Sequence, residues 1–574
     1  MRQLLPVAAI LIAGATFAQE GAPRYQESIE VSIVNLDVVV RDRAGKPVRG
    51  LTAADFEIRE NGQLQEISNF YEAAPRLEGT ATVRAADDES RANVFAPVDR
   101  RNLVIFVEGF SMPPVSTERF FNQLKELVRT TIRPGDKAAI VSWRYVMKVR
   151  QDFTDDVTKL NAALDSIHRD ITSVAPDSES ARLHNAFIEE LREEAAIQQN
   201  ASFIPSMTMS GREQAQQALV DIRRKTVALT RLVNTLAGAP GKRILLMATR
   251  RFSQFAGAEF FGGEVPLQDR DYLNTLSIRE DFARTANAAG VTIYPIYPEG
   301  LEQTVFANAE DRQRRDSMVV GERTAAPQII RRDTDRPIED ATRLNKNGLV
   351  LINETAAISE VAVRTGGVAA WGQTDIIRLV ETIKEDLTSY YSMAYRADSQ
   401  RDGKPRRVTV TTKDKRHEVR ARREQVTKTD AMRMRERVVT ALYAKIPDAA
   451  LLFDAEAGKV SRRHRRYRVP VRIAIPMEVL TSLPSADGER GSFTVFAVAG
   501  GMLGVMSEVA HKTQSFVVDP AKKDRAQQAV ITYELEIETD GRADRIAIGL
   551  LDDTSREWGV MTIPLGSRRR TDGT

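Results

Sequence analysis

The sequence predicts an α/β protein with a doubly wound, mostly parallel sheet, preceded by an N-terminal β-hairpin segment and followed by a C-terminal β-sandwich. Three observations carry this. Continuous apolar runs such as Leu103–Val107 and Ile244–Ala248 recur between helical stripes, the signature of strands buried on both faces. The stretch from Ile29 to Tyr71 alternates in apolarity and is broken by turn residues, as antiparallel hairpins are. From Tyr467 to Ile563 short period-two runs recur between Gly, Pro and Asp turns, the pattern of a sandwich.

Composition bounds the chemistry. The 574 residues carry Lys+Arg 82 against Asp+Glu 79, a balance that gives no charge argument for nucleic acid. Cys 0 excludes disulfides, thiolate metal sites and cysteine nucleophiles, and His 5 disfavours imidazole clusters. Residues 1–18 read as a Sec signal peptide: Arg2, an apolar run from Leu4 to Ile12, and a small residue at Ala18, where cleavage is expected. That run falls short of the ~20 residues a bilayer span needs, so no transmembrane span and a periplasmic or secreted location are expected.

The elements follow in order. Val31, Ile33, Leu36, Val38 and Val40 lead into the turn Asp42–Pro47, and Phe56-Glu57-Ile58 into Glu60-Asn61-Gly62, so residues 29–72 form the N-terminal β segment. Residues 73–100 lack periodicity and read as a linker. An α/β domain is expected over 101–425. Its first strand is followed by a helix bearing Phe120, Leu124, Leu127 and Val128 on one stripe. Ala138–Trp143 and Val146–Val149 read as two strands in tight connection. A helix capped at Thr154-Asp155-Asp156 follows, then a long helix over Gln214–Leu236 closed by Gly238 and Pro240. Val291–Tyr297 is a further strand, Val368–Trp371 a short one, and Thr374–Leu387 a helix. Stretches near 173–211 and 299–347 break the rhythm and read as insertions on the rim. Residues 426–466 form a helical and then basic linker, and 467–566 the C-terminal sandwich.

Several short motifs hold a fixed order along the chain. Leu36-Asp37-Val38-Val39-Val40-Arg41-Asp42-Arg43-Ala44-Gly45-Lys46-Pro47-Val48-Arg49-Gly50-Leu51 is followed by Asp55-Phe56 and Glu60-Asn61-Gly62. Arg133-Pro134-Gly135-Asp136, Gln151-Asp152-Phe153-Thr154, Thr365-Gly366-Gly367 and Leu387-Thr388-Ser389-Tyr390-Tyr391 come later. With these the region from Val31 to Arg423 resembles the bacterial VWFA-related domain proteins, exported relatives of the von Willebrand factor type A (vWA) domain. The resemblance implies a vWA- or Rossmann-like sheet with a metal-ion-dependent adhesion site at its C-terminal edge. There a D-x-S-x-S turn, a Thr and a further Asp hold Mg²⁺, a hard cation that takes oxygen ligands in near-octahedral geometry. At the matching turn this chain reads Glu108-Gly109-Phe110-Ser111-Met112, so Phe110 and Met112 stand where hydroxyls should be. The strand that should end in Asp ends Ala248-Thr249-Arg250-Arg251. A degenerate site at Glu108, Phe110 and Met112 is therefore expected: no metal, no cofactor, Mg²⁺ disfavoured. Glu108, Ser111, Thr249 and Arg250 become the residues expected to meet a partner at the sheet edge.

Other chemistry is weaker. Gly109-Phe110-Ser111 lacks the final glycine of a nucleophile elbow. Gly238–Lys242 is similar to a phosphate loop but precedes its strand instead of following it. His168, His184, His417, His464 and His511 show no catalytic or metal-ligand spacing and read as surface or structural histidines. The run Arg462–Arg468 could hold an acidic partner, although charge runs of this kind are commonly solvated faces. The expected function is a non-enzymatic, metal-independent protein-binding module resembling an adhesin, with an unidentified protein partner. The alternatives are a structural role in envelope assembly and a hydrolase acting on envelope polymers.

Overall fold

The computed structural model describes residues 32–73, 101–109, 114–144, 146–173, 205–250, 252–261, 265–296, 352–369, 376–397, 403–444, 446, 450–463, 466–485, 488–501, 506–539 and 543–565. The expected signal peptide and most of both rim insertions lie outside them, as do Phe110, Ser111 and Met112.

The N-terminal segment supplies β1 (Ser32–Arg41), β2 (Phe56–Glu60), β3 (Gln63–Gln65) and β4 (Ile67–Ala73). The expected hairpin exists as β2–β3, turned by Asn61 (φ 48°) and Gly62 (φ 88°), the left-handed pair that a tight hairpin requires.

The α/β unit follows with β5 (Arg101–Glu108), β6 (Lys137–Arg144), β7 (Val146–Thr154), β8 (Lys242–Ala248) and β9 (Val291–Ile296). They form one sheet in the order β7-β6-β5-β8-β9, parallel except for the edge pair β6–β7. Central β5 alternates its side chains between two cores. Leu103, Ile105 and Val107 pack under the helices Pro114–Thr131, Val157–Ser173 and Ile376–Thr388. Val104 and Phe106 pack under Pro205–Leu236, Leu276–Ala289 and the helix over 352–365. This two-sided burial is why β5 reads as an unbroken apolar run. No strand forms at 367–369. Gly366 (φ 82°) ends the preceding helix, and a Cβ on Gly367 would stand 2.0 Å from the Ile293 carbonyl oxygen.

The chain then returns to the N-terminal strands through β10 (Tyr390–Ala397), β11 (Pro405–Thr412), β12 (Glu418–Arg420) and β13 (Glu424–Val426). Antiparallel sheets β12-β1-β10-β4 and β13-β11-β2-β3 face each other over Leu36, Val38, Ile58, Tyr391, Met393, Tyr395 and their neighbours. The N-terminal strands thus pair with strands hundreds of positions further on, Ser32 with Ala397 and Phe56 with Thr412, a pairing that local alternation does not contain.

The helix Asp430–Ala441, expected as part of a linker, is instead half of an apolar core: Met434, Val438 and Leu442 pack on Phe496, Val498 and Ala547. The C-terminal strands are β14 (Asp454–Ala457), β15 (Ser461–Arg463), β16 (Arg466–Pro476), β17 (Leu483–Ser485), β18 (Gly488–Gly500), β19 (Ala510–Val518), β20 (Val530–Thr539), β21 (Arg545–Asp552) and β22 (Trp558–Pro564). They form two antiparallel sheets that share the core of Val469, Val471, Ile473, Phe493, Val495 and Ile548.

Candidate functional site

At the C-terminal end of β5, the position the sequence singles out, Glu108 meets Thr249, the residue just past β8. Thr249 Oγ1 donates to Glu108 Oε2 at 2.6 Å, and the Arg250 amide donates to the same oxygen at 2.8 Å. The parallel β5–β8 ladder, with Val107 opposite Ala248, delivers both residues to one spot. Ser111, expected beside them, lies outside the described residues.

Sequence reasoning missed the group at the centre. Lys225, only 3 % exposed, extends from the long helix Pro205–Leu236 into this oxygen cluster. Its Nζ lies 3.0 Å from both carboxylate oxygens of Glu108 and 3.2 Å from Thr249 Oγ1, and it also donates to the Arg250 carbonyl. The Phe252 ring, 5.9 Å away, closes one side. A signal was available: Lys225 falls three residues after Ile222 and four before Leu229, both buried, so a cation sits on the apolar stripe of an amphipathic helix. A charge is seldom buried without a partner.

The arrangement limits what this edge can do. An ammonium has three protons and no lone pair while charged, and Lys225 spends them on carboxylate, hydroxyl and carbonyl oxygens. Glu108 in turn accepts from Lys225, Thr249 and the Arg250 amide. Neither is placed as a free nucleophile or a free base. The donor set also fits a divalent cation poorly: it offers one carboxylate, one hydroxyl and one carbonyl already gathered around a positive charge, and a second cation there would be repelled in a partly dry site. Among the described residues no group of three or more His, Asp or Glu gathers as metal ligands.

Asp136 and Tyr391, from two of the other motifs, serve the fold, as does Asp386. Asp136 accepts from Arg101 Nε at 3.1 Å and from the Arg133 amide at 2.9 Å, locking the turn before β6. Tyr391 donates its hydroxyl to the Val48 carbonyl at 2.9 Å and accepts from the Leu51 amide at 3.2 Å, pinning the loop after β1. Asp386, fully buried, takes Arg41 at 2.8 Å and Arg420 at 2.7 Å, and joins the α/β unit to the first sandwich.

His168 stacks on Phe121 at 4.9 Å and His511 on Phe496 at 5.7 Å, as structural histidines do. In the basic run, Arg466 pairs with Glu538 at 3.0 Å and Arg468 with Glu536 at 3.2 Å across the β16–β20 ladder. The charges of Arg466 and Arg468 are therefore met within the sheet. Among the described residues no helix is long and apolar enough to cross a membrane.

No protein-family model matches the chain, and no curated protein matches it. Among solved structures it is similar to an aerotolerance-related membrane protein from Bacteroides fragilis, with 12 % identity over 50 % of this chain and 98 % of that one, at a TM-score of 0.22. The conserved hypothetical protein BatB from Bacteroides thetaiotaomicron gives 10 % identity over 50 % and 96 %, at 0.20. The manganese-loaded TRAP protein of Plasmodium vivax gives 8 % over 57 % and 94 %, at 0.19. Likenesses this weak say nothing of function, which has to be read from the chain's own geometry.

Proposed function

We propose that this chain is an exported, non-enzymatic binding module of the vWA type, its α/β unit doubly wound, whose sheet edge binds a protein partner without a divalent cation. The observation that carries the reading is Lys225, a tethered cation held by Glu108, Thr249 and the Arg250 carbonyl where the vWA resemblance would place Mg²⁺. In that resemblance the metal recruits a partner's carboxylate through an open coordination position. Here the ammonium is consumed internally, so recognition falls to the rim around it, Arg250 included. The absence of a free acid–base pair among the described residues of this edge supports binding over turnover.

Calorimetric titration of the purified chain with Mg²⁺ and Mn²⁺ tests the cation half, and no saturable heat is expected. Micromolar Mg²⁺ affinity that disappears in Glu108→Ala would overturn it. For the partner half, proteins cross-linked to the chain in an envelope extract should be retained with and without EDTA and lost in Arg250→Glu. Retention that vanishes with EDTA, or turnover of an envelope polymer, would replace this reading with a metal-dependent adhesin or a hydrolase.

A further inference from the structure

A cleft of about 520 Å³ opens between strands β6 and β7, the long helix Pro205–Leu236, and Tyr443 and Met506 from the C-terminal unit. Its volume lies in the ~300–1,000 Å³ range of small-molecule sites, and such sites favour junctions between domains. The floor is apolar: Val104, Val141 and Leu232 are buried, and Trp143 and Met147 line the wall. At the mouth Val146 and Val227 are 63 % and 53 % exposed, a cost that an apolar occupant would remove.

Charge is distributed unevenly around this apolar surface. Arg223, Arg224 and Arg231 line the helix side, and among the described residues none of them has a carboxylate partner. Asp152, on β7, is the acidic residue of the lining. The strand register separates the two signs. Lys225 touches Glu108, and Glu108 stands opposite Trp143, so Arg223 and Arg224 belong to the Trp143 end of the cleft. Asp152 lies two residues from Thr154, which pairs with Ala138 at the other end of β6. Burial pushes the Asp152 carboxyl up, which favours its neutral form at that far end.

We propose that this cleft binds a single-chain amphipathic carboxylate, such as a free fatty acid, with its hydrocarbon over Val141, Met147 and Leu232 and its carboxylate against Arg223 and Arg224. A guanidinium offers a carboxylate two parallel donors, and the neighbouring apolar surface makes that pairing stronger than in open water. Because Tyr443 and Met506 also line the cleft, the chain of the ligand would bridge the α/β unit and the C-terminal unit.

Isothermal titration of the full chain with sodium dodecanoate, kept below its micelle concentration, tests this. Saturable binding with one site is expected, and dodecyltrimethylammonium should bind at least about tenfold more weakly, since a charge-assisted pair is replaced by repulsion. The exposed double variant Arg223→Ala/Arg224→Ala should lose about tenfold in dodecanoate affinity with an unchanged circular dichroism spectrum. Ala228→Trp, which fills the cleft, should abolish binding. Absence of saturable dodecanoate binding, equal affinity for the cationic surfactant, or binding only to phosphatidylglycerol vesicles would overturn the proposal. Full affinity in both variants would overturn it equally.

Discussion

Lys225 shows how one buried side chain can occupy the carboxylate at a sheet edge. It is almost fully buried, its partner Glu108 is largely so, and each satisfies the other. Removing one member of such a pair strands a charge, so Lys225→Met should cost about 3–5 kcal/mol in denaturant unfolding. Lys225→Met/Glu108→Gln should cost less than the sum of the two single changes, since the stranded charge is gone. Asp152 gives a prediction in pH. Burial raises its pKa in the folded state, so the folded chain holds that proton over a range where the unfolded chain has lost it. Stability should therefore fall as pH rises from the ordinary carboxylate value through the raised one. Unfolding of Asp152→Asn across a pH series should lack that fall and be more stable at neutral pH. Of these residues Glu108 and Thr249 are legible in the sequence, because both end apolar runs that must be central strands. For Lys225 the stripe of its helix signals burial but not the partner, since Glu108 lies 117 positions away and only the crossing of that helix over the sheet brings the two together.

Helices and strands are legible where burial is one-sided or complete. Apolar spacing places the start of the long helix at Gln214, and the helix begins at Pro205; it places the one before β10 over Thr374–Leu387, and that one spans Ile376–Thr388. The strands β6 and β7 form in tight connection, as their alternation predicts. The strand expected at Val368 is not formed at 367–369, because two glycines there cap a helix and press against β9. The helix Asp430–Ala441 reads as linker because its arginines mask its apolar face: Arg433, Arg435 and Arg437 interleave with Met434 and Val438. That helix also ties two units together. Thr440, 1 % exposed, donates to the Thr235 carbonyl at 2.7 Å and accepts from the Gly238 amide at 3.0 Å. Thr440→Val keeps the shape and loses both bonds, so a loss of about 1–3 kcal/mol is expected, seen as a lower midpoint in urea unfolding.

Across the whole chain the parts are interdependent, because the N-terminal strands find their partners only after the α/β unit has been traversed. A fragment ending at Ser389 would leave β1 and β4 without β10, and β2 without β11. Such a fragment should be insoluble or digested rapidly by protease up to residue 73, while the full chain resists; equal resistance would contradict the long-range pairing. Asp386 binds Arg41 on β1 and Arg420 on the paired strand β12, which fastens the first sandwich to the α/β unit. Local patterning suffices to show that this protein has strands buried on both faces, amphipathic helices over them and a β-rich C-terminal end, because periodicity records which side of each element meets water. Which strands pair, what fills the oxygen cluster and where an apolar cleft opens are decided by contacts between residues tens to hundreds of positions apart. No window of sequence encodes those contacts, since chain closure over such distances is governed by the packing of the assembled elements and not by the preferences of any one of them.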